Sequence, residues 1–357
     1  MAVFWAAMGA AALLGAGCSP PPAPESPAAA PAPEAVPTGK ILYIHEDGDT
    51  QNLWEYDFYT QKSTPVQGPT GKLYAGPADP QGGKLVIALE NGIQSLFLLP
   101  REGGPPRLLA PPAERLRGPV WSPDGSWLYI EASWKSFGDL YRIPREGGEP
   151  ARLTAEQGGS FEPALSPDGS RLAFASSRDG NAEIYVMPAP GGTASRLSDH
   201  PADDMAPRWG ADGSLYWLSR RSGSARYWAM KPEKPADALP LRSATGAATP
   251  TEATALEEEV ELALSADGQL GAITVQRPPN RVDIALVQLP DRQVLGMLEG
   301  EGVDEHPSFS PDGRWVVFSS GRSGDVELWI ARPDGSGLRR LTERVGADWL
   351  PRWMPPG

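Results

Sequence analysis

The chain has 357 residues, and its 45 acidic against 32 basic residues give a formal net charge of −13. That balance disfavours nucleic acid and bare anionic membrane as partners and favours a basic or cationic one. Gly and Pro number 40 each, which would suggest disorder without a period, yet outside the first forty residues most fall at recurring turn positions.

Taken from the N-terminus, residues 1–17 (MAVFWAAMGAAALLGAG) are apolar and end in small residues directly before Cys18, the one cysteine of the chain. This is the pattern of a secretory signal segment rather than of a fold element. A lone cysteine has no partner for an internal disulfide. Leu14-Gly15-Ala16-Gly17-Cys18 resembles the lipobox of bacterial lipoproteins. The resemblance implies that Cys18 becomes the lipidated first residue of the mature protein. Ser19, where Asp is absent, resembles the signal that sorts such proteins to the outer membrane. Several acyl chains, at ~0.8 kcal/mol per buried methylene, would hold the protein firmly to a bilayer. Residues 18–38, almost entirely Pro, Ala and Ser after Cys18, favour extended polyproline conformations and predict a flexible to semi-rigid tether of ~3.1 Å per residue.

From residue 39 onward one unit recurs seven times. Each copy is anchored where its first strand opens, at Pro77, Pro119, Pro163, Pro207, Leu262 (with Glu261, in place of Pro), Pro307 and Pro351, at spacings of 42 to 55 residues. A period in the forties marks stacked copies of one supersecondary unit. Two positions after the anchor stand Trp121, Leu165, Trp209, Leu264, Phe309 and Trp353, with Asp79 breaking the rule in the first copy. Large apolar groups at a fixed point of every unit suit sheets that pack face to face. Five copies continue into an Asp-Gly turn, at Ser122–Gly125, Ser166–Gly169, Gly210–Gly213, Ser265–Gly268 and Ser310–Gly313. A second apolar strand such as Trp127-Leu128-Tyr129-Ile130 follows, then a Gly-containing turn such as Arg178-Asp179-Gly180. A third strand such as Ile184-Tyr185-Val186-Met187 leads to a fourth that ends in Arg196-Leu197-Ser198 or its equivalent. Four short strands joined by turns make one blade of a β-propeller.

The blade pattern P-x-W-S-P-D-G, an apolar strand, R-D-G, I-Y-V-M and R-L-T resembles the WD40-like repeat of the TolB-like propellers, most closely at residues 119–198 and 307–353. The resemblance implies an all-β domain over residues 39–357. TolB propellers usually have six blades behind an α/β domain. Here the repeat count predicts seven, with six as the alternative, and the tether occupies the place of the extra domain.

The ends of the repeat region complement each other. Residues 351–357 read as a first strand without a second, and Lys40-Ile41-Leu42-Tyr43-Ile44 as a second strand without a first. Pairing them would close the ring and remove two exposed sheet edges.

Loops between the fourth strand of one blade and the first of the next surround one mouth of a propeller channel, and loops on a rigid scaffold usually carry binding. Three residues before the anchor stand Asp204, Glu259, Asp304 and Asp348, with Glu162, Asp203, Glu257, Glu258, Glu305 and His306 nearby, Arg115 and Arg117 opposing them, and Tyr74, Phe161 and Trp349 adding aromatic surface. The expectation is an acidic, partly aromatic mouth formed by Tyr74, Arg117, Phe161, Glu162, Asp203, Asp204, Glu258, Glu259, Asp304, Glu305, His306, Asp348 and Trp349. The extra residues of the longest spacing, about Ser243 to Glu257, fall in the same region.

Asp47-Gly48-Asp49-Thr50-Gln51-Asn52 lacks the Gly and the terminal Glu of an EF-hand calcium loop at the needed positions and reads as a hairpin turn. His45, His200 and His306 have no metal-ligand spacing, and no metal or cofactor is expected. No G-x-S-x-G nucleophile elbow occurs. The sequence therefore points to a non-catalytic, monomeric binding scaffold of the cell envelope, periplasm-facing and lipid-anchored at the outer membrane, whose mouth takes a basic segment of an envelope protein. A propeller-borne polysaccharide lyase or glycoside hydrolase using paired carboxylates is the alternative.

Overall fold

The computed structural model describes residues 36–134, 138–241, 257–289 and 292–355. Cys18, most of the tether and all of the insertion except Glu257 lie outside the described residues.

The repeated turns form alike because their side chains close them. In the first, Gly125 N donates to Ser122 O (2.8 Å), Ser122 Oγ donates to Asp124 (2.5 Å), and Trp127 N donates to Ser122 Oγ (2.9 Å). The last residue of the turn sits at φ 70°, open to glycine at little cost, and the other four turn glycines fall between 68° and 76°. Hydroxyl donors hold the carboxyl groups of Asp124 and Asp168 at about 2. In the first copy Gly82 N donates to Asp79 O and Asp79 N to Gly83 O, so Asp79 occupies the place of the turn serine. Ala78 then takes the position of Trp121, which explains the break in the apolar rule.

Each turn joins an inner strand to a second strand buried on both faces, such as Arg171–Ser176, whose last five residues are all buried. A continuous apolar run marks a strand covered on both sides, here by the neighbouring blades. The described residues contain seven antiparallel four-stranded sheets, so the six-bladed alternative is excluded. We number the blades from the first complete copy: blade 1 (inner strand Lys72–Ala78), 2 (Leu116–Trp121), 3 (Ser160–Leu165), 4 (Asp204–Trp209), 5 (Glu258–Leu264), 6 (Asp304–Phe309) and 7 (Ala347–Trp353).

Blade 7 is composite: Ala347–Trp353 pairs with Lys40–Asp47, with Trp353 opposite Ile41 and Asp348 opposite His45. The Asp47–Thr50 segment after it is the expected hairpin turn. Trp353 stacks on Phe58 (centroids 5.0 Å apart) and donates from Nε1 to Thr38 O (3.2 Å). Hydrophobic clusters occupy all seven interfaces between neighbouring blades, for instance Tyr129 and Leu140 of blade 2 against Phe174 and Tyr185 of blade 3. The core is therefore a ring of seven layers rather than one centre. No described helix is long and apolar enough to cross a membrane.

Candidate functional site

Every inner strand carries a β-bulge beside the anchor. In blades 3, 4, 6 and 7 the residue before the proline (Glu162, Ala206, His306, Leu350) is left-handed, at φ 51° to 56°, and Gly118 of blade 2 matches it. A bulge bends the strand and re-aims side chains, here around the channel.

Upstream of the bulge, alternation sends neighbouring residues to opposite sides. Positions three before the anchor go inward: Leu116, Ser160, Asp204, Glu259, Asp304 and Asp348 are all buried. Positions two before it stay accessible: Arg117 is exposed, while Phe161, Met205, Glu305 and Trp349 are half-buried. The acids expected on the mouth surface at Asp204, Glu259, Asp304 and Asp348 thus lie beneath it.

There they are held by a repeated lock. Asp304 accepts from Arg322 Nη2 (2.5 Å) and Ser320 Oγ (2.5 Å), and the Arg322 guanidinium lies over Phe318 and Trp329, 5.3 and 5.1 Å from their centroids. Asp204 accepts from Arg221 (2.5 Å), which covers Trp217 and Trp228. In blade 3 Ser160 replaces the acid and meets Arg178 (3.3 Å), which covers Phe174 and Tyr185. Glu259 accepts the Tyr227 amide (2.6 Å), and Asp348 Oδ1 lies 2.6 Å from His45 Nδ1. Burial pushes the Asp204 and Asp304 carboxyl groups up from their ordinary value, while their serine and arginine partners pull them back. The locks of blades 3, 4 and 6 fasten the entry of the inner strand to its own blade, that of blade 7 does so across the join of the termini, and Glu259 ties the inner strand of blade 5 to the third strand of blade 4. These arginines and their aromatic seats were not singled out from the sequence, although R-D-G and its variants recur at fixed spacing.

The other candidates divide. Tyr74 is exposed and lines the channel with Arg117 and Glu162. Glu162 also accepts the Ala206 amide of the next blade (2.6 Å). Asp203 is exposed and accepts the Ala182 amide (2.9 Å), and Glu258 pairs with Arg220 (2.5 Å). Half-buried Glu305 lies 3.8 Å from His306, whose ring is 6.4 Å from that of Trp349. The rim is therefore a mixed aromatic and charged surface.

The channel encloses about 950 Å³. Just past the bulge, the equivalent position reads Pro77, Val120, Ala164, Arg208, Ala263, Ser308 and Arg352 around the ring, all lining the channel. Glu261 lines it as well. The repeat spacing alone does not reveal that these residues share one passage. Among the described residues no group of three or more His, Cys, Asp or Glu is arranged to hold a metal ion.

A closed ring of seven repeated sheets around a narrow channel defines the β-propeller class. The Tricorn protease N-terminal beta propeller domain matches residues 134–266. A 58-residue stretch is 38% identical to the Tol-Pal system protein TolB of Geobacter sulfurreducens, covering 16% of this chain and 13% of that one. The chain spans about a fifth or less of the curated relatives it matches. Crystalline TolB from Acinetobacter baumannii superposes with a TM-score of 0.55 at 19% identity, over 88% of this chain and 82% of that one. An oligogalacturonate lyase from Vibrio parahaemolyticus gives 0.59 at 14% identity, over 82% and 91%. At such identities the superpositions speak for the fold alone. The chain is thus a seven-bladed β-propeller, similar over part of its length to the Tricorn N-terminal propeller and to TolB.

Proposed function

We propose that this propeller is a non-catalytic binding scaffold of the cell envelope, facing the periplasm, tethered through a lipid on Cys18 and engaging a protein segment at the fourth-to-first loop mouth. The observation that carries this reading is the rim. Tyr74 and Arg117 are exposed, and Phe161, Glu305 and Trp349 are partly accessible beside them. Aromatic and arginine side chains at the centre of a rigid surface are the usual anchors of protein contacts. The buried acids serve by fixing the inner strands that present this rim. The net charge of −13 and the accessible Asp203 and Glu305 favour a partner segment with basic residues. The Tol-Pal name of one relative supports an envelope setting.

The test is capture from detergent-solubilised envelope of the source cell, comparing wild type with the surface variant Tyr74→Ser/Arg117→Glu/Glu305→Lys. A partner enriched by wild type and lost with the variant, whose melting temperature is unchanged, supports the reading. Undiminished capture by the variant refutes it. Cys18→Ser should move the protein from the membrane to the soluble fraction.

A further inference from the structure

The channel interior has a charge character opposite to that of the chain. Three arginines (Arg117, Arg208, Arg352) and two glutamates (Glu162, Glu261) line it in a protein of net charge −13. Glu162 is engaged by the Ala206 amide. Among the described residues, no carboxylate lies within ion-pairing distance of Arg208 or Arg352. Arg208 Nη1 donates to Pro207 O (2.9 Å) and Arg352 Nη1 to Pro351 O (3.4 Å), and most of their other N–H groups have no acceptor among the described residues. Most other arginines near the inner strands, such as Arg221 and Arg322, are satisfied by a buried acid.

Their placement is equally particular. Both occupy the position after the anchor, one in blade 4 and the other in blade 7, three steps apart in a ring of seven and therefore on opposing sides of the channel. The other five residues of that layer are Pro77, Val120, Ala164, Ala263 and Ser308, none of which is charged. Two facing guanidinium groups in a confined passage repel each other. Burial lowers the basicity of Arg352, the Glu261 charge opposes this, and the Arg208 charge adds to it.

We infer that the channel contains an oxyanion site in which Arg208 and Arg352 clamp a carboxylate or phosphate group of a slender ligand on the channel axis. The guanidinium fork matches both groups through paired N–H donors. Glu261 lowers the affinity by repelling the same charge, and selects ligands that also carry a donor. Trp209 and Trp353 flank the layer and report occupancy. This site lies inside the channel and does not depend on what the rim binds.

The experiment is a titration of the full chain with citrate, and separately with inorganic phosphate, at ionic strength matched with sodium chloride, read by calorimetry and tryptophan fluorescence. Saturable binding of either anion, weakened ~10-fold or more by Arg208→Gln or Arg352→Gln and strengthened by Glu261→Gln, is expected. The two arms identify whether carboxylate or phosphate is preferred. Circular dichroism separates loss of binding from loss of fold, and the Glu261→Gln variant, which gains affinity, tests the site without removing an arginine. Absence of saturable binding in both arms, or equal binding by a folded Arg208→Gln/Arg352→Gln variant, overturns the inference. A rim variant that leaves Arg117 in place, Tyr74→Ser/Glu305→Lys, should bind the anion as wild type does.

Discussion

Replacing Arg322 with Gln tests the claim that the recurring acids of the inner strands are structural. Asp304 is 1% exposed and has two acid-directed donors, Arg322 and Ser320. Removing the guanidinium leaves a buried carboxylate with one hydroxyl and strips the cation from above Phe318 and Trp329. Breaking a buried ion pair from one side costs ~3–5 kcal/mol. At ~2–3 °C per kcal/mol for a domain of this size, the melting temperature should fall by roughly 6–15 °C. Thermal and urea unfolding followed by circular dichroism measure this directly.

Two controls sharpen the result. Asp304→Asn in the Arg322→Gln background should recover ~2 kcal/mol, because a neutral amide is cheaper to bury than an unpaired carboxylate. The pH dependence has a definite sign. The Asp304 carboxyl is raised by burial, and losing Arg322 removes a group that lowers it. The folded variant then binds more protons than the unfolded chain in the window above the unfolded carboxyl value, so stability falls as pH rises through that window. The deficit should shrink between about pH 7 and pH 5. A deficit below ~1 kcal/mol at both pH values would match an exposed pair and refute the argument. The acid would then be available at the mouth after all.

Trp353→Ala should cost ~3–5 kcal/mol, because it empties the Phe58 stack and the closing interface between blades 6 and 7; an unchanged urea midpoint would show that the ring does not depend on this closure. Ala206→Gly should stabilise the fold by up to ~1 kcal/mol, since Ala206 holds a left-handed φ of 51° that glycine adopts freely. A loss of stability in that variant would mean that the bulge is not strained.

Much of the architecture was legible because the signals are local and repeat. The Asp-Gly turns, the anchor prolines and the doubly apolar second strands each depend on a few adjacent residues. Their recurrence gave seven units and the complementary ends that pair in blade 7. Asp79 breaks the apolar rule only because Pro77 stands one place later in its strand than the other anchor prolines, a shift visible once the Gly82 hydrogen bond is known. The site was read less well. Asp204, Glu259, Asp304 and Asp348 carry charge at positions that map to a loop mouth, and charge alone suggests exposure. Whether an acid faces water or an arginine depends on the bulge and on a turn some 17 or 18 residues away, as with Asp204 and Arg221 or Asp304 and Arg322.

By itself, then, the amino-acid order determined the unit, its strands and turns, the number of copies and the means of closing the circle, since each follows from short-range backbone and hydrophobic preferences. Only the tertiary structure decided which charges are consumed as internal locks and which face the passage. Arg208 and Arg352 are 144 residues apart in sequence yet share one layer of the channel, because ring closure, and not local preference, brings distant blades around a common axis.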